Sequence, residues 1–194
     1  MGHKFPAEHA ARLESPERLA LLPIDRVVAL AGVGPGSRIL DIGCGTGVFT
    51  IPFARAVGPG GRVLAADILP GMVEACRRRA AAEGLANVEV ALSTENAVPF
   101  PAASAELVFA CQLLHELHEP PLFFAEMRRL LAADGRLVVV DWEKVDTGIG
   151  PPVEKRLTPD EARALLQENG FRVERCESVS RANYLLAARD ARLR

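Results

Sequence analysis

The sequence of 194 residues is poor in aromatic residues, with eight Phe, one Trp and one Tyr. So sparse a set leaves few platforms for stacking bases. A formal net charge of −2 supplies no overall basic field to gather a phosphate backbone or an anionic membrane surface. No nucleic-acid or membrane partner is therefore expected. Lysine is scarce too, since Lys4, Lys144 and Lys155 are the only lysines among 23 basic residues. The four cysteines, Cys44, Cys76, Cys111 and Cys176, lie far apart with no CxxC pair. That spacing gives neither a zinc ribbon nor a disulfide framework. No apolar run approaches the ~20 residues of a membrane span. The opening segment "MGHKFPAEHAARLESPER" lacks the apolar core of a signal peptide. A soluble, cytoplasmic protein is the default expectation.

What is present is a globular composition, 49% hydrophobic and 25% charged, in an alternating pattern. Ser15-Pro16 suits a helix start, and an apolar helical pattern then runs to about Leu30. "SRILDI" reads as a strand and passes through "GCGTG" into the helix pattern "VFTIPFARAV". "GRVLAAD" is a second strand, "PGMVEACRRRAAAEG" a second helix, and "NVEVALS" a third strand. "AELVFACQLL" opens as a fourth, "PPLFFAEMRRLLAADG" is a helix ending at Asp134-Gly135, and "RLVVVDW" is a fifth strand. Thr158 and Glu161 have the spacing of a capping box on a helix that Gly170 ends. Two strand patterns, "FRVERCESV" and "NYLLAARD", then follow with a short connection. Alternating strands and helices imply a parallel sheet covered on both faces, and the last two strands an antiparallel edge. One domain over residues 1–194 is expected, with a helical extension at 1–30 and the core at 31–194. The irregular stretch 144–157 is long enough to suggest a functional loop.

The most informative stretch is "ILDIGCGTG", a strand running into glycines that open a helix. Glycine there lets backbone amides approach a ligand's polar groups, because a Cβ would block the approach. A dinucleotide site would show GxGxxG. Here Gly43, Gly45 and Gly47 are spaced GxGxG, with Asp41 before them. An acid beside the turn suits an ammonium group better than a pyrophosphate. Asp67 ends the second strand, well placed to accept both hydroxyls of a ribose. The chemistry points to a nucleoside with an amino-acid-like arm; otherwise the glycines would form only a tight connection.

"LDIGCGTG" with Asp67 resembles motif I and its partner acid in class I S-adenosylmethionine-dependent methyltransferases, most closely the ubiquinone- and menaquinone-biosynthesis type. The resemblance runs over about residues 37–141. It implies a doubly wound α/β fold, Rossmann-like, with a seven-stranded, mostly parallel sheet and an antiparallel C-terminal strand. It further implies S-adenosyl-L-methionine as cofactor and methyl transfer to a small-molecule acceptor, by a monomer or homodimer. Residues Asp41, Gly43, Cys44, Gly45, Thr46 and Gly47 would meet the methionine part, Asp67 the ribose and Ile68 the adenine. "STENAVPFP" is similar to the family's "GDAxxLPFP", where an aspartate lies near the adenine amino group. Thr94 stands at that position here, with Glu95 and Asn96 beside it; Glu95 is taken as the acceptor.

"QLLHELHEPP" raises the question of metal. A zincin helix reads HExxH, whereas "HELH" is one residue short and runs into Pro120-Pro121. No metal is expected. The stretch resembles the family's "xxLHHxxDP" segment, which places Cys111, Gln112 and His115 near the transferred methyl group. His115 and Glu116 would serve as base or orient the substrate, or else His115 caps the helix or packs under the cofactor. His118 is expected to be a solvated surface residue. Phe5, His9 and Arg12 are candidates for a lid, and Trp142 and Glu143 for substrate contact, with indole packing the alternative. Two other functions stay open: a non-catalytic nucleoside-binding module, and a nicotinamide-dependent oxidoreductase, which the glycine spacing disfavours.

Overall fold

Pro23 divides the amino-terminal apolar pattern. The computed structural model describes residues 13–192, so the expected lid residues Phe5, His9 and Arg12 lie outside the described residues. Within it, the single helix expected to about Leu30 is two: α1 (Pro16–Leu21) and α2 (Ile24–Ala31). Proline at 23 lacks the amide that would continue the hydrogen-bond ladder, so it becomes the N-cap of α2 instead. Ser15 caps α1 by accepting the Arg18 amide, and Gly32 ends α2 at φ 66°.

The remaining elements alternate. β1 (Arg38–Ile42), α3 (Thr50–Val57), β2 (Arg62–Asp67), α4 (Pro70–Ala82) and β3 (Val88–Leu92) form one half. The other half holds β4 (Ala105–Cys111), α5 (Pro120–Leu130), β5 (Leu131–Trp142), α6 (Pro159–Glu168), β6 (Phe171–Ser180) and β7 (Asn183–Asp190). Seven strands lie in the order β3-β2-β1-β4-β5-β7-β6. β7 alone runs against its neighbours, antiparallel to both β5 and β6. The order reverses between β1 and β4, which leaves a crevice beyond their carboxyl ends.

β1 shows why the sheet is central. Four of its five residues are buried, an apolar run that only a strand covered on both faces requires. Ile39 packs with α2 and α3 on one face, in a cluster where Phe109 meets Phe49 and Phe53 at ring separations of 4.8 and 4.9 Å. Leu40 packs on the other face with Phe124, Leu130 and Leu166. The capping box at Thr158 forms as expected, with the Glu161 amide on Thr158 Oγ1 and the Thr158 amide on Glu161. Helix α5, expected to reach Asp134, ends at Leu130. Leu131 turns extended to pair with Ala105 at a β-bulge, so sheet pairing overrides the helical pattern there. Cys176, expected in an apolar element, is exposed on β6.

Candidate active site

Three left-handed glycines shape the turn after β1, with φ of 68° at Gly43, 55° at Gly45 and 88° at Gly47. Each has a separate reason for lacking a side chain. A Cβ at Gly45 would lie 2.8 Å from Leu13 Cδ1, and one at Gly47 would lie 3.1 Å from Cys76 Sγ on α4. Leu113, just past β4, sits 3.4 Å from the Cβ position of Gly43. The expectation that the turn's amides face a ligand needs correction. Gly43 and Cys44 both donate to the Ala66 carbonyl, Gly45 donates to Asp67 Oδ2, and Gly47 donates to the Cys44 carbonyl. The first three of those donors tie the turn to β2, and the Gly47 donor closes the turn on itself. No anion hole is built from them. The buried Thr46 hydroxyl, by contrast, has no partner among the described residues.

Two acids flank the turn. Asp41 is 2% exposed and accepts the Thr50 hydroxyl at 2.6 Å. Burial, with the charge of Asp67 adding to it, raises its pKa to about 7 against the opposing Thr50 hydrogen bond. Asp67, at the end of β2, accepts the amides of Gly45 and Leu69 at 2.9 Å each. Burial raises its pKa as well, opposed by those amides and that of Ile68. Neither acid has an ion-pair partner among the described residues. Two buried carboxyl groups without a cation beside them favour a cationic, hydroxyl-bearing ligand over a phosphate.

The third wall is the segment after β4. Gln112 has φ 56°, and its amide donates to the Val140 carbonyl. Its side-chain oxygen takes two hydrogen bonds from Arg18, and its nitrogen donates to Asn183 Oδ1 at 2.9 Å. Cys111 behind it is shielded, and burial pushes its thiol pKa up. His115 turns inward with a 6% exposed side chain, its Nδ1 3.1 Å from Asp141 Oδ1 and its Nε2 3.7 Å from Glu116. Burial alone would lower the His115 pKa, but the hydrogen bond and charge of Asp141, with the charge of Glu116, outweigh it and raise it. His118 is exposed, as expected, and its Nδ1 and its amide both meet Glu95 Oε1, at 2.9 and 3.0 Å. The two histidines thus face different acids and do not converge on one point. Asn96 Nδ2 donates to Glu119, leaving its buried Oδ1 without a protein partner, and the Thr94 amide closes a turn on Ala97.

A family model for the methyltransferase domain matches residues 39–135. Among solved structures, a SAM-dependent methyltransferase from Aquifex aeolicus superposes with a TM-score of 0.90 at 32% identity, covering 95% of this chain and 98% of its own. The chain belongs to the class I S-adenosylmethionine-dependent methyltransferases. Among curated relatives, a ubiquinone/menaquinone biosynthesis C-methyltransferase UbiE of Teredinibacter turnerae is 36% identical over 60% of this chain and 47% of its own. Nocamycin O-methyltransferase of Saccharothrix syringae is 39% identical over 58% and 40%. The chain spans about half the length, or less, of these curated relatives.

S-adenosylmethionine is the cofactor of this methyltransferase family, and the residues present fit it. Among the described residues, Asp41 and Asp67 are buried without cations, and the Thr46 hydroxyl is unpartnered. A wide groove of about 820 Å³ in the methyltransferase opens at the amino ends of β2 and β3, beside Gly58 and Asn87. It lies far from the glycine turn. Trp142 is 3% exposed beneath the loop at 144–157, and Gly150 and Arg156 cover its ring. Its indole is a packing surface. The Glu143 carbonyl accepts from Arg156, and burial raises the pKa of its carboxyl. Sequence reasoning missed Arg18, Asp141, Arg156 and Asn183. One signal was available: like Asp41 and Asp67, Asp141 follows an apolar run near the carboxyl end of its strand, at the same edge of the sheet. Among the described residues no helix is long and apolar enough to cross a membrane.

Proposed function

We propose that this methyltransferase moves the methyl group of S-adenosylmethionine to a small organic acceptor by in-line displacement. The observation that carries this is the pair of buried acids, Asp41 and Asp67, on either side of the glycine turn, without an ion-pair partner among the described residues. The bound cofactor would supply a methyl carbon activated by its sulfonium. Asp67 would accept from the ribose hydroxyls, with Ile68 against the adenine. Asp41 and Thr46 would meet the amino-acid arm, along the path kept open by Gly43, Cys44, Gly45 and Gly47. Thr94, Glu95 and Asn96 would border the adenine, and Cys111 and Gln112 the methyl group. His115 and Glu116 would face the acceptor.

In-line displacement at an activated carbon depends mainly on alignment and water exclusion, which supply several kcal/mol. The amino-terminal segment suits that task. Leu13 rests on Gly45, Glu14 pairs with Arg79 at 3.2 Å, and Arg18 reaches Gln112. These contacts support a lid made with the preceding Phe5, His9 and Arg12. Both curated relatives bear the names of small-molecule enzymes, one methylating carbon and one oxygen.

Thermal unfolding with S-adenosylmethionine, S-adenosylhomocysteine and NADH tests the site. Ligand at ~100 times its dissociation constant stabilises by about 2.7 kcal/mol, a shift of roughly 5–10 °C for a chain of this size. Shifts with both adenosyl ligands and none with NADH are expected. No shift with either adenosyl ligand overturns the proposal. Transfer of a labelled methyl group into small molecules of a cell extract then separates an enzyme from a binding module.

A further inference from the structure

We infer that Asp141 is a positioning residue that presents His115 Nε2 as the proton acceptor for a weakly acidic hydroxyl, phenolic or enolic, on the methyl acceptor. This rests on the methyltransferase proposal above and adds the chemical class of its substrate.

Asp141 sits near the end of β5, 2% exposed, and three donors converge on it. The Trp142 amide reaches Oδ1 at 2.8 Å and the Leu114 amide reaches Oδ2 at 3.0 Å. His115 Nδ1, 3.1 Å from Oδ1, is the third. Both backbone bonds hold the carboxylate in one orientation, so it can only accept at His115. Nδ1 must then carry the proton, and in the neutral ring the lone pair falls on Nε2. The same carboxylate pins the turn that carries the ring (Leu114–Glu116) through the Leu114 amide, and the ring itself is buried, with a 6% exposed side chain.

The placement is next to the chemistry. Leu113, two residues before His115, packs on Gly43 of the cofactor turn. The groups facing the imidazole are Asp141 from β5, Glu116 from its own turn and, with opposite sign, Arg156 from the 144–157 loop. Two acids against one cation favour an imidazolium once formed. A buried acid-bound histidine whose Nε2 makes no hydrogen bond among the described residues, with Glu116 3.7 Å away, serves an acceptor that must lose a proton. An amine lone pair or a sulfide needs no such partner.

The step balances as follows. The acceptor's O–H bond breaks and its proton passes to His115 Nε2, giving an imidazolium held by Asp141. The oxygen's electron pair forms the bond to the methyl carbon while that carbon's bond to sulfur breaks, and sulfur keeps the pair. After product leaves, Nε2 returns the proton to water.

The test uses the whole chain with S-adenosylhomocysteine bound and ¹⁵N-labelled histidine. Homocysteine-ligand binding by calorimetry reports the cofactor site separately: its loss in the wild type would sink the methyltransferase proposal rather than this one. In the wild type, neutral His115 is expected as the Nδ1–H tautomer. In Asp141→Asn the amide must turn a donor toward either His115 or a backbone N–H, so the tautomer preference is lost and the imidazole titrates at lower pH. Asp141→Glu is expected to restore part of both. His115→Gln, which leaves Asp141 and its backbone bonds in place, covers the case in which Asp141→Asn does not fold; it is expected to bind ligand normally and lower kcat at least 100-fold with little change in cofactor KM. An Nε2–H tautomer in the wild type overturns the inference, as does an unchanged kcat in His115→Gln. Labelled methyl groups recovered on oxygen support the substrate class, and recovery on nitrogen or sulfur refutes it.

Discussion

Arg18 places two donors on a single oxygen: Nε and Nη2 lie 3.1 and 2.8 Å from Gln112 Oε1. The contact joins α1 to the residue that leaves β4, across 94 positions of sequence. Its other nitrogen, Nη1, donates to the Leu13 carbonyl and so holds the backbone beside Gly45. Arg18→Ala is therefore expected to cost about 1.5–3 kcal/mol of stability, the range for a hydrogen bond to a charged group. It should weaken S-adenosylhomocysteine binding as well. Calorimetry on the variant checks both; unchanged affinity would separate α1 from the cofactor site.

Asp41 gives a dependence on pH. Its carboxyl titrates near 4 in an unfolded chain and at about 7 in the folded protein. Between those values the native state holds more protons than the unfolded state, so stability falls as pH rises from about 4 to 7 and then levels off. Three units correspond to a loss on the order of 4 kcal/mol. A ligand ammonium beside Asp41 would draw the proton off, so S-adenosylhomocysteine affinity should rise with pH up to about 7. Asp41→Asn should flatten both curves. Denaturation and calorimetry at a series of pH values would show it, and two flat wild-type curves would contradict the assignment.

Gly47→Ala combines two costs, a left-handed φ of 88° and a Cβ 3.1 Å from Cys76 Sγ. The first is worth about 1–2 kcal/mol for a residue with a Cβ. Adding Cys76→Ala should recover only the steric part. A double-mutant cycle by urea unfolding reads the coupling directly. Full recovery in the double variant would mean that backbone strain plays no part.

Arg156 is 3% exposed, and among the described residues no carboxylate pairs with it. Instead it donates to the carbonyls of Pro151, Glu143, Val145 and Ile149 and to the Thr147 hydroxyl, while stacking 5.0 Å over Trp142. Lysine offers three donors from one point and cannot reproduce that fork. Arg156→Lys and Arg156→Ala should each cost about 3 kcal/mol, or roughly 6–12 °C in Tm. Limited proteolysis should then cut within 144–157, and an intact loop in Arg156→Ala would refute its role as the organiser.

These cases show what was legible in the sequence. β1, β2 and their glycine turn announce themselves locally, through apolar runs, glycines and a terminal acid within 31 residues. The sheet and the cofactor followed from that. Pro23 was a local signal too, and it splits the first helix as proline chemistry requires. The start of β5 was not legible, because Leu131 leaves a helical pattern only to meet Ala105. Arg18 with Gln112, His115 with Asp141 and Arg156 with its carbonyls are pairings at a distance or around a coil. No periodicity in the chain encodes them. Glu95 carries the same lesson, since its acceptor oxygen is engaged by His118 from a different loop.

The place of β7 has a consequence for how the protein is made. Residues 183–190 lie between β5 and β6, not at the rim, so β5 keeps an open edge on the ribosome until those residues have been made. Asn183, the first residue of that strand, also ties Gln112 to the Leu21 carbonyl. A nascent chain stalled before residue 183 would carry the whole glycine turn yet lack the stitch that fixes the wall opposite.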